Sequence, residues 1–456
     1  MSELPRFGGL QIVRLGLVQA MLGAIVVLTT STLNRVMVVE LALPALLPGV
    51  LVAFHYLVQI ARPRMGHGSD VGGRRTPWIV GGMAVLGLGG ICAAVAVAWM
   101  GADRHSGIAL ALVAFALIGL GVSASGTSLL VLLAKRVAPE RRAAAATTVW
   151  LMMIMGFAVT AGVAGPLLDP YSAARLVGVT TAVSCIAFVV ACLALYGVEG
   201  ARVEPARPAH GAAAPALPFR AALAQTWADP QARHFTIFVF VSMLAYSAQD
   251  LILEPFAGAV LGYTPGQSTS LSGVQHGGVF VGMLLAAAAG SRWRGRTLGS
   301  LRRWTIAGCV ASAIALLGLA AAGFTGQAWP FKATVFALGV SNGVFSIAAI
   351  GSMMRLAGAH NAAAQAGEAP REGVRMGLWG AAQAIAFGLG GLVGTGASDL
   401  ARWLIGTPGV AYAAVFAAEA LLFIVAARLA ARIDAPRIQA PADAARWPAG
   451  EPHGAA

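Results

Sequence analysis

Apolar residues gather in twelve long stretches separated by polar breaks, near residues 12–34, 44–61, 78–99, 108–134, 146–168, 176–197, 233–254, 271–290, 304–322, 331–354, 375–396 and 408–429. Each is long enough, or nearly so, to carry a helix across about 30 Å of hydrocarbon, with 44–61 relying on its flanks. The widest break, VEGARVEPARPAHGAAAPALPFRAALAQTWADP, falls in the middle, and its Pro/Ala content reads as a tether. The pattern predicts an all-α polytopic membrane protein of 12 transmembrane helices. It divides into an N-terminal six-helix half over 10–197, a cytoplasmic linker over 198–232, a C-terminal six-helix half over 233–430 and a disordered cytoplasmic tail over 431–456. Many of the 57 glycines lie inside the apolar stretches, as in GGMAVLGLGG at 81–90 and AFGLGGLVGTG at 386–396. Small residues there let helix backbones approach where no hydrophobic force drives them together.

Composition agrees: 58% of residues are hydrophobic and only 11% charged, against about 25% charged in soluble domains. Mean hydropathy is +0.77. The net charge of +13 would suit nucleic acid if the basic residues clustered on one soluble surface. Instead they sort by loop. With both termini in the cytoplasm, only Arg35, Arg104, Arg175, Lys332 and Arg402 of the 31 lysines and arginines fall outside. That bias is the orientation signal of cytoplasmic loops, so the charge sets topology and no nucleic-acid partner is expected. Cys92, Cys185, Cys192 and Cys309 all lie within apolar stretches without metal-ligand spacing and read as small buried residues. The first stretch leads directly into a multispan body, so it is read as its own insertion signal and not as a cleaved leader.

Polar side chains inside the spans are costly and therefore informative. His55 and Gln59, four apart in LVAFHYLVQIARP, share a helix face; the imidazole can ligate a magnesium or cap a neighbouring carbonyl. Gln249, Asp250 and Glu254 follow a mostly apolar run. Asp250 and Glu254 share a face with no adjacent base, so they either reach water at the outer surface, contact a partner or hold a proton. Gln275 and His276 sit beside Gly277 and Gly278, which make room either for a planar ligand or for a close helix crossing. Asn34, Arg35 and Glu40 suggest an interfacial ion pair or else a ligand contact, and Gln19, Asn342, Gln383 and Glu419 interhelical hydrogen bonds in preference to transport sites. No Gly-rich phosphate loop, CxxC, HExxH or GxSxG occurs, so nothing in the chain points to an enzyme or a free metal site.

Between the second and third stretches, RPRMGHGSDVGGRRTPW places Gly66, Asp70, Gly73, Arg74 and Arg75 where glycines allow a tight turn and the carboxylate can meet a helix N-terminus. This resembles the cytoplasmic loop signature of the major facilitator superfamily, although Val71 stands where the pattern carries Arg. GSRWRGRTLGSLRRW keeps Gly290, Arg292, Gly295 and Arg296 in the second half, a partial echo that fits two related halves. Longer strings are more specific. SMLAYSAQDLILEPF at 242–256, GYTPGQST at 262–269, the first stretch LGLVQAMLGAIVVLTTSTLNRVMVVELALPALLPG, HGSDVGGRRTPW and RMGLWGAAQAIAFGLGG at 375–391 resemble the PucC family, including its LhaA-type members, over roughly 6–430.

That resemblance implies a major facilitator fold in the bacterial inner membrane, in its intracytoplasmic photosynthetic part. It implies an assembly factor for LH1 or LH2 light-harvesting antenna that handles bacteriochlorophyll or a late precursor. Antenna polypeptides, and with them bacteriochlorophyll synthase and the insertion machinery, are the implied partners. On that reading His55 and His276 are candidate chlorin magnesium ligands with Gln59 and Gln275 beside them. The face of Gln249, Asp250 and Glu254 is then an interaction site, and the loop residues Gly66 to Arg75 act in bracing or gating. The alternative is a proton-coupled or facilitative small-solute transporter of the same fold.

Overall fold

The computed structural model describes residues 7–59, 74–138, 141–199, 224, 227–290, 300–364 and 372–433. Most of the expected linker, the tail beyond 433 and Gly66, Asp70 and Gly73 lie outside these residues. The described residues form twelve helices of 13 residues or more: α1 (Gly9–Glu40), α2 (Leu46–Val58), α3 (Thr76–Met100), α4 (Arg104–Arg136), α5 (Arg142–Leu167), α6 (Ala173–Leu195), α7 (Pro230–Leu261), α8 (Pro265–Gly290), α9 (Leu301–Thr325), α10 (Phe331–Ala364), α11 (Glu372–Ile405) and α12 (Pro408–Ala431). Eleven contain a segment long and apolar enough to span a membrane. The exception is α2, whose 13 residues rise only about 20 Å.

Most helices overrun the apolar stretches because polar caps extend them. Asp103 and Asp229 side chains accept the backbone N–H of His105 and Gln231, and Ser172 and Ser300 accept those of Arg175 and Arg303. α7 continues seven residues past the expected end at 254 and carries Pro255 within it, stopping at left-handed Gly262, while α10 and α11 run ten and nine residues past theirs. Likewise α1 runs on to Glu40, but in two π-helical segments, Leu28–Thr32 and Val36–Glu40. Thr29 and Thr30 hydroxyls there donate to the Val26 carbonyl at 2.8 and 3.0 Å, feeding side-chain donors into the widened ladder.

The packing is twofold. In the first half α1 lies against α5 and α6, α3 against α4 and α6, and α2 against α4. Adding six to each number gives the second half: α7 with α11 and α12, α9 with α10 and α12, and α8 with α10. Two separate apolar cores follow, one around Phe115, Leu86 and Met83, the other around Phe256, Phe345, Phe416 and Trp379. The halves meet through α5 against α8 and α2 against α11, again a twofold pair, and through α1 against α7. The five basic residues set apart in the sequence, Arg35, Arg104, Arg175, Lys332 and Arg402, all sit toward the face opposite the one where α1 begins and α12 ends. These are called the far face and the terminal face below.

Pro255 shows how a local cost becomes a contact between halves. Lacking an N–H, it leaves the Leu251 carbonyl without its helical partner. The Asn34 amide of α1 donates to that oxygen at 2.6 Å, in a fully buried position. Asn34→Leu is expected to lower stability in detergent by about 1–3 kcal/mol, the cost of a stranded buried acceptor. Adding Pro255→Ala should recover part of that loss, because an alanine N–H restores the bond to Leu251; chemical or thermal unfolding of the single and double variants checks it.

Candidate functional site

The polar side chains of α7 divide between two surroundings. Asp250 accepts a hydrogen bond from Gln275 Nε2 of α8 at 3.2 Å and lies within electrostatic reach of Glu419 of α12. Neither acid forms an ion pair among the described residues. Glu419 does not make the interhelical hydrogen bond its position suggested: it is buried and both carboxyl oxygens lack a hydrogen-bond partner among the described residues. Gln249 is equally buried, and its amide has no hydrogen-bond partner among the described residues. Asp250 is only half-buried, whereas Glu419 is buried, and the two acids stand on helices that pack against each other.

Rings gather beside this acid pair. Tyr246, one turn before Asp250, packs against Phe345 of α10 and Phe387 of α11 at 6.3 and 6.0 Å, and Phe387 stacks on Tyr56 of α2 at 5.8 Å and 28°. The aromatic group thus spans both halves.

Glu254, although four residues from Asp250, faces elsewhere. It is 2% exposed and lies among Ser31 of α1, Ser268 of α8 and the Arg35 charge. Arg35 is itself 2% exposed; it pairs with Glu40 at 2.5 Å and donates to the Tyr263 carbonyl at 2.7 Å. The ion pair suggested by the sequence therefore forms, but its arginine lies inside the bundle. Gly258 is what admits it, since a Cβ there would stand 2.9 Å from the guanidinium. Asn342 and Gln19 do make contacts between helices, to Ser312 at 2.8 Å and Met153 at 3.2 Å.

The two histidines are not brought together. His55 Nε2 meets the Gln59 amide nitrogen at 2.8 Å, and since an amide nitrogen only donates, that ring nitrogen is the acceptor. His276 Nδ1 donates to the Ser272 carbonyl at 2.9 Å, which leaves Nε2 carrying the lone pair, and Phe157 meets the ring edge-on at 5.0 Å. A histidine whose other nitrogen is tied to a carbonyl is the arrangement that metal-ligating imidazoles use. Beside it the glycines separate in role. A Cβ on Gly278 would stand 2.4 Å from the Phe336 carbonyl, so that residue serves a close crossing with α10, whereas Gly277 opens onto free space.

At the terminal face Arg74 is exposed, and the backbone N–H groups of Arg75 and Thr76 donate to the two oxygens of Glu199 at 2.6 and 2.7 Å. The Thr76 hydroxyl adds a third bond at 2.7 Å. Arg136 donates to the Glu199 carbonyl at 3.1 Å, so the residue following α6 caps the start of α3 and ties down the end of α4. Burial pushes the Glu199 carboxyl up, but the bonds from Thr76 and Arg75, together with the Arg75 charge, outweigh it and hold the group below its ordinary value. Glu199, Asp169 and Asp399 are organising acids that sequence reasoning did not assign; for Glu199 and Asp399, a carboxylate beyond an apolar stretch, facing a helix start without a side-chain cap of its own, is the signal.

A model of the family described as PUCC protein matches residues 32–438. The chain belongs to the PucC family. It is 53% identical over 430 residues to a Rhodobacter capsulatus protein named Bacteriochlorophyll synthase 44.5 kDa chain, covering 94% of this chain and 96% of that one. To the Rhodobacter capsulatus Protein PucC it is 31% identical over 437 residues, covering 91% and 90%. Among solved structures, a D-xylose-proton symporter superposes with a TM-score of 0.64 at 13% identity, covering 90% of this chain and 96% of that one. A nucleoside transporter superposes with a TM-score of 0.63 at 13% identity, covering 93% and 99%. These likenesses show the major facilitator fold for this PucC-family membrane protein.

Because the folded pKa of Glu199 is depressed, its contribution to stability is complete above the ordinary value of 4.5 and is lost as pH falls through the folded value. Glu199→Gln should therefore lower the unfolding temperature at neutral pH and flatten its fall on the acid side. Thermal unfolding of both proteins across that range measures it.

Proposed function

We propose that this PucC-family protein is a membrane assembly factor for bacterial light-harvesting antenna, LH1 or LH2, that couples bacteriochlorophyll delivery to insertion of antenna polypeptides. The observation that carries the reading is the 53% identity, along nearly the whole of both chains, to a protein whose name attaches it to bacteriochlorophyll synthase. On this reading the chain accompanies a synthase and does no covalent chemistry of its own. The terminal face is cytoplasmic, in the inner membrane where pigment and antenna chains are made, consistent with the sorting of basic residues.

The residues present suit a chlorin at one of the two histidines. When bound, the pigment would bring a magnesium ion able to accept a nitrogen ligand. His276 would supply it through Nε2, fixed in that tautomer by Ser272, with Gly277 leaving room beside it. His55 is less suited because its accepting nitrogen is already engaged by Gln59. Gln275 stands next to His276 and joins that position to Asp250, so loading at His276 would be felt by the acid pair. A chlorin with an isoprenoid tail is nearly insoluble in water, and a carrier within the bilayer keeps it from open solution.

A second reading, proton-coupled solute transport, is favoured by one feature: Glu419 is a buried carboxyl with no hydrogen-bond or cation partner among the described residues, and Asp250 stands on the adjoining helix. Gentle purification from photosynthetically grown membranes separates the two. The first reading expects chlorin absorption and antenna polypeptides in the isolated protein, with His276→Phe losing most of the pigment and His55→Phe retaining it. Absence of both pigment and antenna chains, with solute uptake in proteoliposomes that Glu419→Gln abolishes, would establish transport instead.

A further inference from the structure

Two acids outside the candidate site occupy matching places in the twofold fold. Asp169 follows α5 and Asp399 lies near the end of α11, the helix six numbers on. Asp169 reaches across to the start of α8: its Oδ1 accepts from the Gly266 N–H at 3.1 Å and its Oδ2 from the Thr264 hydroxyl at 2.6 Å. Asp399 reaches across to the start of α2: its two oxygens accept from the N–H groups of Ala45 and Leu46 at 3.0 and 2.7 Å. Each half thus caps a helix of the other, and α2 has no side-chain cap of its own.

The surroundings match as well. Four residues before Asp169, Gly165 meets Gly266 and Ser270; four residues before Asp399, Thr395 meets Gly49. A Cβ on Gly266 would stand 2.4 Å from the Asp169 carboxyl, and one on Gly49 would stand 2.1 Å from the Thr395 hydroxyl. Thr264 and Gln267 form a reciprocal capping box, with Gln267 Oε1 accepting from the Thr264 N–H at 3.0 Å and the Thr264 hydroxyl accepting from the Gln267 N–H at 3.1 Å. The same hydroxyl donates to Asp169, so its orientation is set from both sides. Asp399 is held in turn by Arg402. Toward the same face, α1 is tied to α8 and to the end of α7 through Ser31 with Ser272 at 3.2 Å, Thr32 with Thr269 at 2.9 Å, and Arg35 with the Tyr263 carbonyl.

We propose that Asp169 and Asp399 are a twofold-related pair of latches that hold the far face closed, and that releasing both lets the two halves rock apart there. The bonds they make join a carboxylate to the positive end of a helix dipole, a pairing stronger than a neutral hydrogen bond and directional enough to define a closed state. Because the latches lie on either side of the twofold axis, loss of one leaves the other to hold the interface, and loss of both frees it. The inference does not depend on the pigment reading and applies to whatever the interior handles.

The test places spin labels on cysteines in the full chain after replacing Cys92, Cys185, Cys192 and Cys309. One pair, Ala102→Cys with Ala328→Cys, spans the far face between the halves; a second, Tyr196→Cys with Arg432→Cys, spans the terminal face. Electron-electron distance measurements in lipid nanodiscs are expected to show one short far-face population in the parent. Asp169→Asn or Asp399→Asn alone should raise an open population about tenfold, the loss of one charge-assisted bond. The double variant should make it dominant, with the terminal-face pair shortening at the same time. Thr264→Val, which removes a donor to Asp169 and keeps both acids, should act like a weaker Asp169→Asn; with the single variants it decides the matter if the double variant does not fold. Unchanged far-face distances in these folded variants, or a far-face change with no response at the terminal face, would overturn the proposal.

Discussion

A backbone N–H or C=O that cannot reach water must find its partner within the protein, and in a bilayer this requirement governs every departure from a continuous helix. At three places near the far face the missing partner comes from the other half. Pro255 frees the Leu251 carbonyl, which Asn34 takes up. The first turn of α2 lacks a capping side chain, and Asp399 provides two acceptors. The start of α8 receives Asp169 in addition to its own capping box. The halves are therefore joined by completing one another's backbones, which makes the join specific in register, because an acceptor one residue out of place leaves a buried donor unpaired.

Glycine makes these bonds reachable. Carboxylates are short, and Asp169 can touch the Gly266 N–H only because neither Gly165 nor Gly266 has a side chain to hold α5 and α8 apart. The same holds within each half, where a Cβ on Gly282 would stand 2.0 Å from the Val340 carbonyl and one on Gly121 would stand 2.5 Å from the Leu86 nitrogen. In an apolar solvent such contact draws helices together through dispersion and close fit, since burying another apolar side chain gains little over leaving it in lipid. The two uses differ in consequence. Backbone contact within a half has no polar pairing to break and makes that half rigid, whereas contact between halves is fastened by a few discrete hydrogen bonds that can be made or lost as a set.

How much of this the sequence reveals follows from the range of each interaction. Helices were legible because their signal, a run of apolar residues, is local; even the weakness of α2 showed in the need of 44–61 for help from its flanks. What starts its helix was not legible, because the cap stands 354 residues away at Asp399 and no local pattern marks the pair. The overrun of α7 past Pro255 was illegible for the same reason, since the stabilising partner, Asn34, belongs to another helix. Spacing put Asp250 and Glu254 on one helix face, yet the two carboxyls look into different surroundings. One acid meets Gln275 and Glu419, the other Ser31, Ser268 and Arg35. Glu419 looked like an ordinary interhelical polar residue because its significance lies only in what approaches it.

The same comparison bears on how the interior could respond to a bound group. α1 and α7 are equivalent in the twofold arrangement, and both give up regular helical bonding in their outer portions, α1 through π-helical segments and α7 through Pro255. A helix that has already yielded its ladder bends there at less cost than a regular one. The polar network reaches these same segments: Glu254 lies one residue before Pro255 and faces Ser31 within the first π-helical segment. Asp250 lies one turn earlier and is bonded through Gln275 to the helix position next to His276. On the proposed reading, a group held at His276 would act on α8 at one end of a short chain of contacts whose other end is the two weakened helices beneath the far face. The sequence SMLAYSAQDLILEPF contains most of that chain in a single helix, which is a physical reason for it to be the most unusual stretch of the protein.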